Sequence, residues 1–325
     1  MKFLITGGAG FIGSHLTDRL ISDGHEVIVL DTFSTGRAEN LAHLVTNKSL
    51  TLVEGSILDK PLLEKLTAET DYVFHLAAAV GVFNIVDNPL ESLLTNVRGT
   101  ENALEAANKY KKPFFLTSSS EVYGKNSADS LSEGDDRIVG TPTMLRWSYS
   151  EAKAIDESLA YAYWTQKGLE TRIVRFFNTV GPRQLGAYGM VIPRFIEAAV
   201  KNEPLTIYGD GTQTRCFAHI ADVIDAVMAV AFSTATVGRV VNIGNNFEIS
   251  MNDLATKIIA QTGSSSEIVH LPYEVAYGAG FEDMARRVPN ISLIKELTGW
   301  APTRDLTQII ADVKKQSLKI KHPLL

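Results

Sequence analysis

The chain has 325 residues, 45% of them hydrophobic and 21% charged, and 31 Lys and Arg stand against 37 Asp and Glu for a formal charge of −6. That length exceeds one typical domain and buries a substantial core, and the composition excludes a disordered or low-complexity chain. The charge is spread without a basic stripe, which excludes nucleic acid as an expected partner, and a single cysteine, Cys216, excludes a disulfide framework and a thiolate metal cage. No metal is expected, because Cys216 and His219 supply two ligands where zinc sites use three or four.

Met1 to Leu16 begins with a lysine and apolar residues, but its four glycines make it a strand, a tight turn and a helix rather than a secretion signal. No 18-residue apolar run follows that would span a bilayer, so a cytoplasmic protein without a membrane partner is expected. Lys2 to Thr6 is the first strand. Gly7-Gly8-Ala9-Gly10-Phe11-Ile12-Gly13 follows, opening a helix with apolar Ile12, Leu16, Leu20 and Ile21 that stops at Gly24. The next strand, Glu26 to Leu30, ends in Asp31, about 20 residues past the glycine turn, as in a dinucleotide-binding fingerprint. Gly7 permits the turn, Gly10 lets backbone N–H groups approach a pyrophosphate at the helix N-terminus, and Gly13 allows close packing of helix on strand. Asp31 accepts hydrogen bonds from both adenosine ribose hydroxyls and repels a 2′-phosphate. NAD is therefore favoured over NADP, although Arg37 nearby keeps the second open.

Leu50 to Val53, Tyr72 to Leu76 and Pro113 to Leu116 read as further strands with helical patterns between them. The expected fold is α/β, a Rossmann-type doubly wound parallel sheet. Function in such a sheet gathers at the C-terminal strand ends. Two of these are rich in small and hydroxylated residues: Ala77-Ala78-Ala79 and Thr117-Ser118-Ser119-Ser120-Glu121.

About 30 residues later comes Tyr149-Ser150-Glu151-Ala152-Lys153, where helical spacing puts Tyr149 and Lys153 on one face. A phenol beside an ammonium and a positive nicotinamide is expected to titrate below its ordinary value. Tyr149 then takes a substrate hydroxyl proton as hydride leaves for NAD, with Ser119 as second hydrogen-bond partner. Tyr163 and Lys167 share the spacing but do not follow a hydroxyl-rich strand end; they are read as packing residues of an amphipathic helix.

On these motifs the chain resembles, nearly end to end, the extended short-chain dehydrogenases that act on nucleotide-sugars. The resemblance implies a UDP-sugar substrate, a 4-keto intermediate and a homodimer formed through helices near 92 to 109 and 150 to 167. Ile57 and Ala77 would line the NAD site, although Ser56 stands where many relatives carry an acid for the adenine amino group. Arg175 to Arg183 and Leu205 to Arg215 look like substrate segments, so that Asn178 and Arg215 hold the diphosphate, Tyr208 packs near the nucleoside and Arg183 is a further substrate-binding residue.

Ser119-Ser120-Glu121-Val122-Tyr123-Gly124 is similar to the form found in UDP-glucuronate decarboxylases, with Ser120 beside the substrate. Arg146 to Tyr149 and Tyr277 to Pro289, including Phe281 and Arg287, are similar to segments of those decarboxylases and of UDP-apiose/xylose synthase. By that match Phe281 lines the substrate site, and Arg287 binds the sugar carboxylate and helps to protonate C5 after carbon dioxide leaves. The expected reaction is UDP-glucuronate decarboxylation to UDP-xylose or its 4-keto form. A UDP-sugar 4-epimerase is the alternative, with a dehydratase or a non-catalytic NAD sensor behind it.

The NAD-binding domain is expected over 1–175 plus 216–243, with helical His219 to Val230 and the strand Val240 to Ile243. A smaller, discontinuous α/β substrate-binding domain takes 176–215 plus 244–325, including a helix over Met251 to Thr262.

Overall fold

The computed structural model describes residues 1–79, 88–186, 190–277, 284 and 286–321. Seven parallel strands form the central sheet: β1 (Lys2–Thr6), β2 (Glu26–Asp31), β3 (Leu50–Glu54), β4 (Tyr72–His75), β5 (Phe114–Ser119), β6 (Thr171–Phe176) and β7 (Val240–Ile243). Their spatial order is β7-β6-β5-β4-β1-β2-β3, which reverses direction between β1 and β4. A crevice therefore opens at the C-terminal ends of β1 and β4, where open α/β sheets bind their ligands.

β1 shows why the sheet is sandwiched. Phe3 and Ile5 point into one core with Val27, Val29 and Phe74, while Leu4 points into the other with Ile28, Leu30 and Val73. Both faces of an all-parallel sheet must be covered, and each fully buried side chain of this kind contributes about 1.5–3 kcal/mol. Helices α1 (Phe11–Ser22) and α2 (Ile220–Phe232 of the later chain) cover the first face. Lys60–Ala68, Pro89–Lys109 and Ser148–Lys167 cover the second.

A third apolar cluster lies apart from the sheet, built from Ile192, Phe195, Ile196, Leu205, Ile207, Leu254, Ile258, Ile309 and Ile310. It joins the helices Val191–Lys201, Met251–Thr262 and Leu306–Lys321 to small strands at Leu205–Tyr208 and Ile268–Leu271. One tie from the late chain back to the sheet positions the site. Leu131 N donates to Val288 O at 2.8 Å and Asn290 N to Leu131 O at 2.8 Å, so the segment carrying Arg287 lies along the connection that follows β5.

Among the described residues no helix is long and apolar enough to cross a membrane.

Candidate active site

Gly10 caps α1 with extended backbone and no side-chain hydrogen bond. The first N–H groups of the helix have no intrahelical acceptor and offer a positive dipole end to an anion. Gly7 has φ 72°, and a Cβ there would lie 2.7 Å from Ala77 N; a Cβ on Gly13 would run into the Gly7 carbonyl oxygen. Only glycine allows this close a turn. Phe11 and Ile12 are half-buried beside it, and Ile57 is buried. The Asp31 carboxylate accepts Ala9 N and Phe33 N, both at 2.9 Å. Each oxygen retains a further acceptor site. A bare helix end, a glycine cradle and a strand-end carboxylate together fit the pyrophosphate and ribose of NAD. Arg37 lies exposed and pairs with Glu39 at 3.4 Å.

The second part of the site starts where β5 runs to Ser119, three residues beyond the expected end. Ser119 Oγ accepts Glu121 N at 3.2 Å and caps a single 3-10 turn, Ser120–Tyr123. Ser150 Oγ donates to Glu121 O at 2.7 Å, which fastens the start of the helix Ser148–Lys167 to that turn. The helix that carries Tyr149 and Lys153 is thereby tied to the turn that follows Ser119.

The protein groups around Tyr149 act against the lowering expected from Lys153 and a bound nicotinamide. Its phenol is raised above the ordinary value, first by burial and then by the Glu121 and Asp156 carboxylates. Lys153, 2% exposed, does not stand as an isolated cation, since its Nζ meets Asp156 Oδ2 at 3.1 Å. A charge balanced this closely exerts a weaker field on its neighbour than a bare ammonium does.

Glu121 sits between two guanidinium groups. Arg287 Nη1 lies 2.6 Å from its Oε1 and Arg146 Nη1 lies 2.7 Å from its Oε2, with both arginines buried. Burial raises a carboxyl, but here Arg287 and then Arg146 outweigh it and hold Glu121 at about 2. Ser120 Oγ accepts from Arg287 Nη1 at 3.4 Å. Two buried guanidinium groups thus flank one carboxylate, and Arg287 Nε has no hydrogen-bond partner among the described residues. A buried guanidinium N–H left without an acceptor is a donor suited to a carboxylate or phosphate oxygen.

Residues 3–244 match the family model described as the NAD dependent epimerase/dehydratase family. The chain belongs to that family. Across 302 residues this family member is 44% identical to a UDP-N-acetyl-α-D-glucosaminuronate decarboxylase of Bacillus cytotoxicus, covering 93% of the chain and 92% of the relative. It is 39% identical to UDP-glucuronic acid decarboxylase 1 of Xenopus tropicalis, covering 94% and 70%. Among solved structures it resembles a UDP-glucuronic acid 4-epimerase from Bacillus cereus, with TM-score 0.88, 29% identity and coverage of 98% and 100%.

Other residues singled out in the sequence of this family member scatter. Tyr208 is half-buried with the Arg194 guanidinium 4.4 Å above its ring, and Arg215 is half-buried on the strand Thr214–Cys216. Asn178, at φ 25°, donates Nδ2 to Cys216 O at 2.8 Å. Arg183 is engaged elsewhere, because its Nη2 pairs with Asp18 Oδ2 on α1 at 2.6 Å and its N–H meets Gln316. Phe281 lies outside the described residues. Tyr163 packs against the second core, as its helical position suggested.

Sequence reasoning missed Arg146 and Asp156 as site residues. Both had a signal. Arg146 stands three residues before Tyr149 and Asp156 three after Lys153, one helical turn in each case.

Proposed function

We propose that this family member decarboxylates a UDP-hexuronate through a 4-keto intermediate, UDP-glucuronate giving UDP-xylose or its 4-keto form. The observation that carries this reading is the buried Arg287 guanidinium against Glu121, whose Nε has no partner among the described residues and suits a sugar carboxylate. A 4-epimerase acting on a neutral sugar has no need of that cation; one acting on UDP-glucuronate binds the same carboxylate, so release of carbon dioxide is what separates the two.

Gly7 to Gly13, Asp31, Ile57 and Ala77 hold the dinucleotide in this reading. Bound NAD supplies the hydride acceptor for C4 and returns that hydride after carbon dioxide has left. Tyr149 takes the O4 proton, Ser119 orients the hydroxyl, and Lys153 holds the ribose side of the site. Once C4 is a ketone, the C5–C6 bond of the β-keto acid breaks, its electron pair passes toward the C4 carbonyl oxygen, and C5 takes up a proton. Arg287 and Arg146 orient the departing carboxylate. Glu121, ionised throughout the working range, fixes the two arginines rather than donating a proton. Asn178, Arg215 and Tyr208 serve the UDP portion, and Arg183 is left out because Asp18 already occupies it.

Incubation with NAD and UDP-glucuronate, and in parallel with UDP-N-acetylglucosaminuronate, is expected to release one carbon dioxide per sugar, with a product lighter by that mass. Formation of UDP-galacturonate, or its acetamido counterpart, without carbon dioxide would establish the epimerase instead. Comparing the two rates decides what the site accepts at C2.

The reading includes a homodimer and two domains divided as the sequence suggests. Ile155 and Tyr161, 46% and 50% exposed, lie on Ser148–Lys167, and exposed Leu90 and Leu94 lie on the helix Pro89–Lys109 that packs against it. Apolar side chains on two packed helices favour burial against a second copy. Light scattering is expected to give twice the 35.5 kDa chain mass. The free thiol of Cys216 fits a reducing compartment, the cytoplasm.

A further inference from the structure

Glu121 and Arg287 are far apart in sequence and lie on two segments that are not sheet strands, so their contact needs a fixed reference. Asn242 of β7 is at the centre of the bonds that join them. Its side chain is fully buried, and Tyr123 OH donates to its Oδ1 at 2.8 Å. Its Nδ2 donates to Leu131 O at 2.9 Å and to Asn290 O at 3.3 Å, and its backbone N–H donates to Glu133 Oε1 at 2.8 Å.

These partners belong to three different segments. Tyr123 closes the turn that carries Ser120 and Glu121. Leu131 and Glu133 belong to the connection after it, and Asn290 follows three residues after Arg287. Leu131 is itself paired with the Arg287 segment on both sides, through Val288 O and Asn290 N.

Asn242 itself is held by a rigid frame. It is in register with Arg175 on β6, whose guanidinium grips Glu157 through Nε and Nη2 at 2.9 and 2.8 Å. Ser118 Oγ donates to the same carboxylate at 2.6 Å, and Arg175 Nη1 donates to Glu133 O at 3.1 Å. An amide with one acceptor and two donors all engaged sets distance and direction for both flanking segments. A buried network satisfied in this way resists small displacements.

We propose that Asn242 is a positioning residue that sets Arg287 against Glu121 and thereby commits the 4-keto sugar to lose its carboxylate. The proposal rests on the decarboxylase reading above. Asn242 bonds Tyr123, at the end of the turn opposite Ser119, and the segment beside Arg287, so its loss bears more on the second chemical step than on the first. Displacing a reacting group by about 1 Å costs about a hundredfold in rate. That penalty falls mainly on carbon–carbon cleavage.

The test separates the two steps in a single turnover, with absorbance of reduced nicotinamide reporting C4 oxidation and released carbon dioxide reporting cleavage. Asn242→Ala removes all three side-chain bonds, and Tyr123→Phe removes one while keeping the ring. In Asn242→Ala, carbon dioxide release is expected to fall about ten- to a hundredfold while C4 oxidation stays within about threefold. Reduced cofactor or the C4-epimeric uronate should accumulate. Tyr123→Phe should show the same split at smaller amplitude, and it decides the matter if Asn242→Ala fails a thermal-melting check of folding. Parallel loss of both steps, or no loss of either, overturns the proposal while leaving the decarboxylase reading standing. Absence of carbon dioxide from the unaltered enzyme overturns that reading and the proposal with it.

Discussion

Arg287→Ala is expected to lower carbon dioxide release by about 10²–10³-fold, the range found when one preorganised donor to a developing charge is removed. Two effects add. The substrate carboxylate loses one of the two cations proposed to orient it. Glu121 also loses its contact with Arg287 and keeps that with Arg146. Arg287→Lys should recover part of the rate, because it restores the charge without the remaining guanidinium N–H donors beside the Nη1 that meets Glu121 and Ser120.

The same substitution has a consequence for stability against acid. Glu121 is held at about 2, below its ordinary 4.5. A carboxyl depressed on folding stabilises the folded state above its ordinary value, and that contribution is lost as pH falls through the folded value. In the unaltered protein the loss runs from about 4.5 down to about 2. Without Arg287 the carboxyl moves upward and the protonation of Glu121 is complete at a higher pH. Melting temperature measured from pH 5 to pH 2 should therefore show a smaller Glu121-linked decline in Arg287→Ala, starting from a lower neutral-pH value. An unchanged acid profile would show that Arg287 does not control Glu121.

Tyr149→Phe is expected to lower C4 oxidation by about 10²–10⁴-fold, the usual contribution of a positioned acid–base group. The ring and its packing remain, so NAD binding followed by calorimetry should stay within about threefold, an energy change below about 1 kcal/mol. The loss should appear as missing reduced-nicotinamide absorbance on addition of the UDP-uronate, with carbon dioxide release failing to the same extent. The two substitutions thus carry opposite signatures. Arg287→Ala separates oxidation from decarboxylation, and Tyr149→Phe stops both together. A Tyr149→Phe enzyme retaining more than about a tenth of the oxidation rate would transfer the proton-accepting role to another group.

The burial around Tyr149 shows how a candidate residue can be located with incomplete electrostatics. The Tyr149 and Lys153 spacing was legible because one helical turn brings the two positions to one face. The field at the phenol was not, because it depends on how far water is excluded and on Glu121, a residue from another element. Asp156 was legible in spacing as well, but its importance comes from being fully buried against Lys153.

Short-range geometry made most of the fold readable from the chain alone: the glycine turn with Asp31, six of the seven sheet strands, and the Tyr149 and Lys153 spacing follow from backbone preferences and periodicities within a few residues, whereas the strand Thr171–Phe176 was not read. Tertiary structure decided the contacts between distant segments. It brought Arg287 to Ser120 across 167 residues, Asn242 to Tyr123 across 119, and Arg183 to Asp18 across 165. An arginine reads the same in sequence whether it will meet a phosphate or a carboxylate of its own chain. Its partner is set by the path of the intervening chain and by which charges that path leaves buried together.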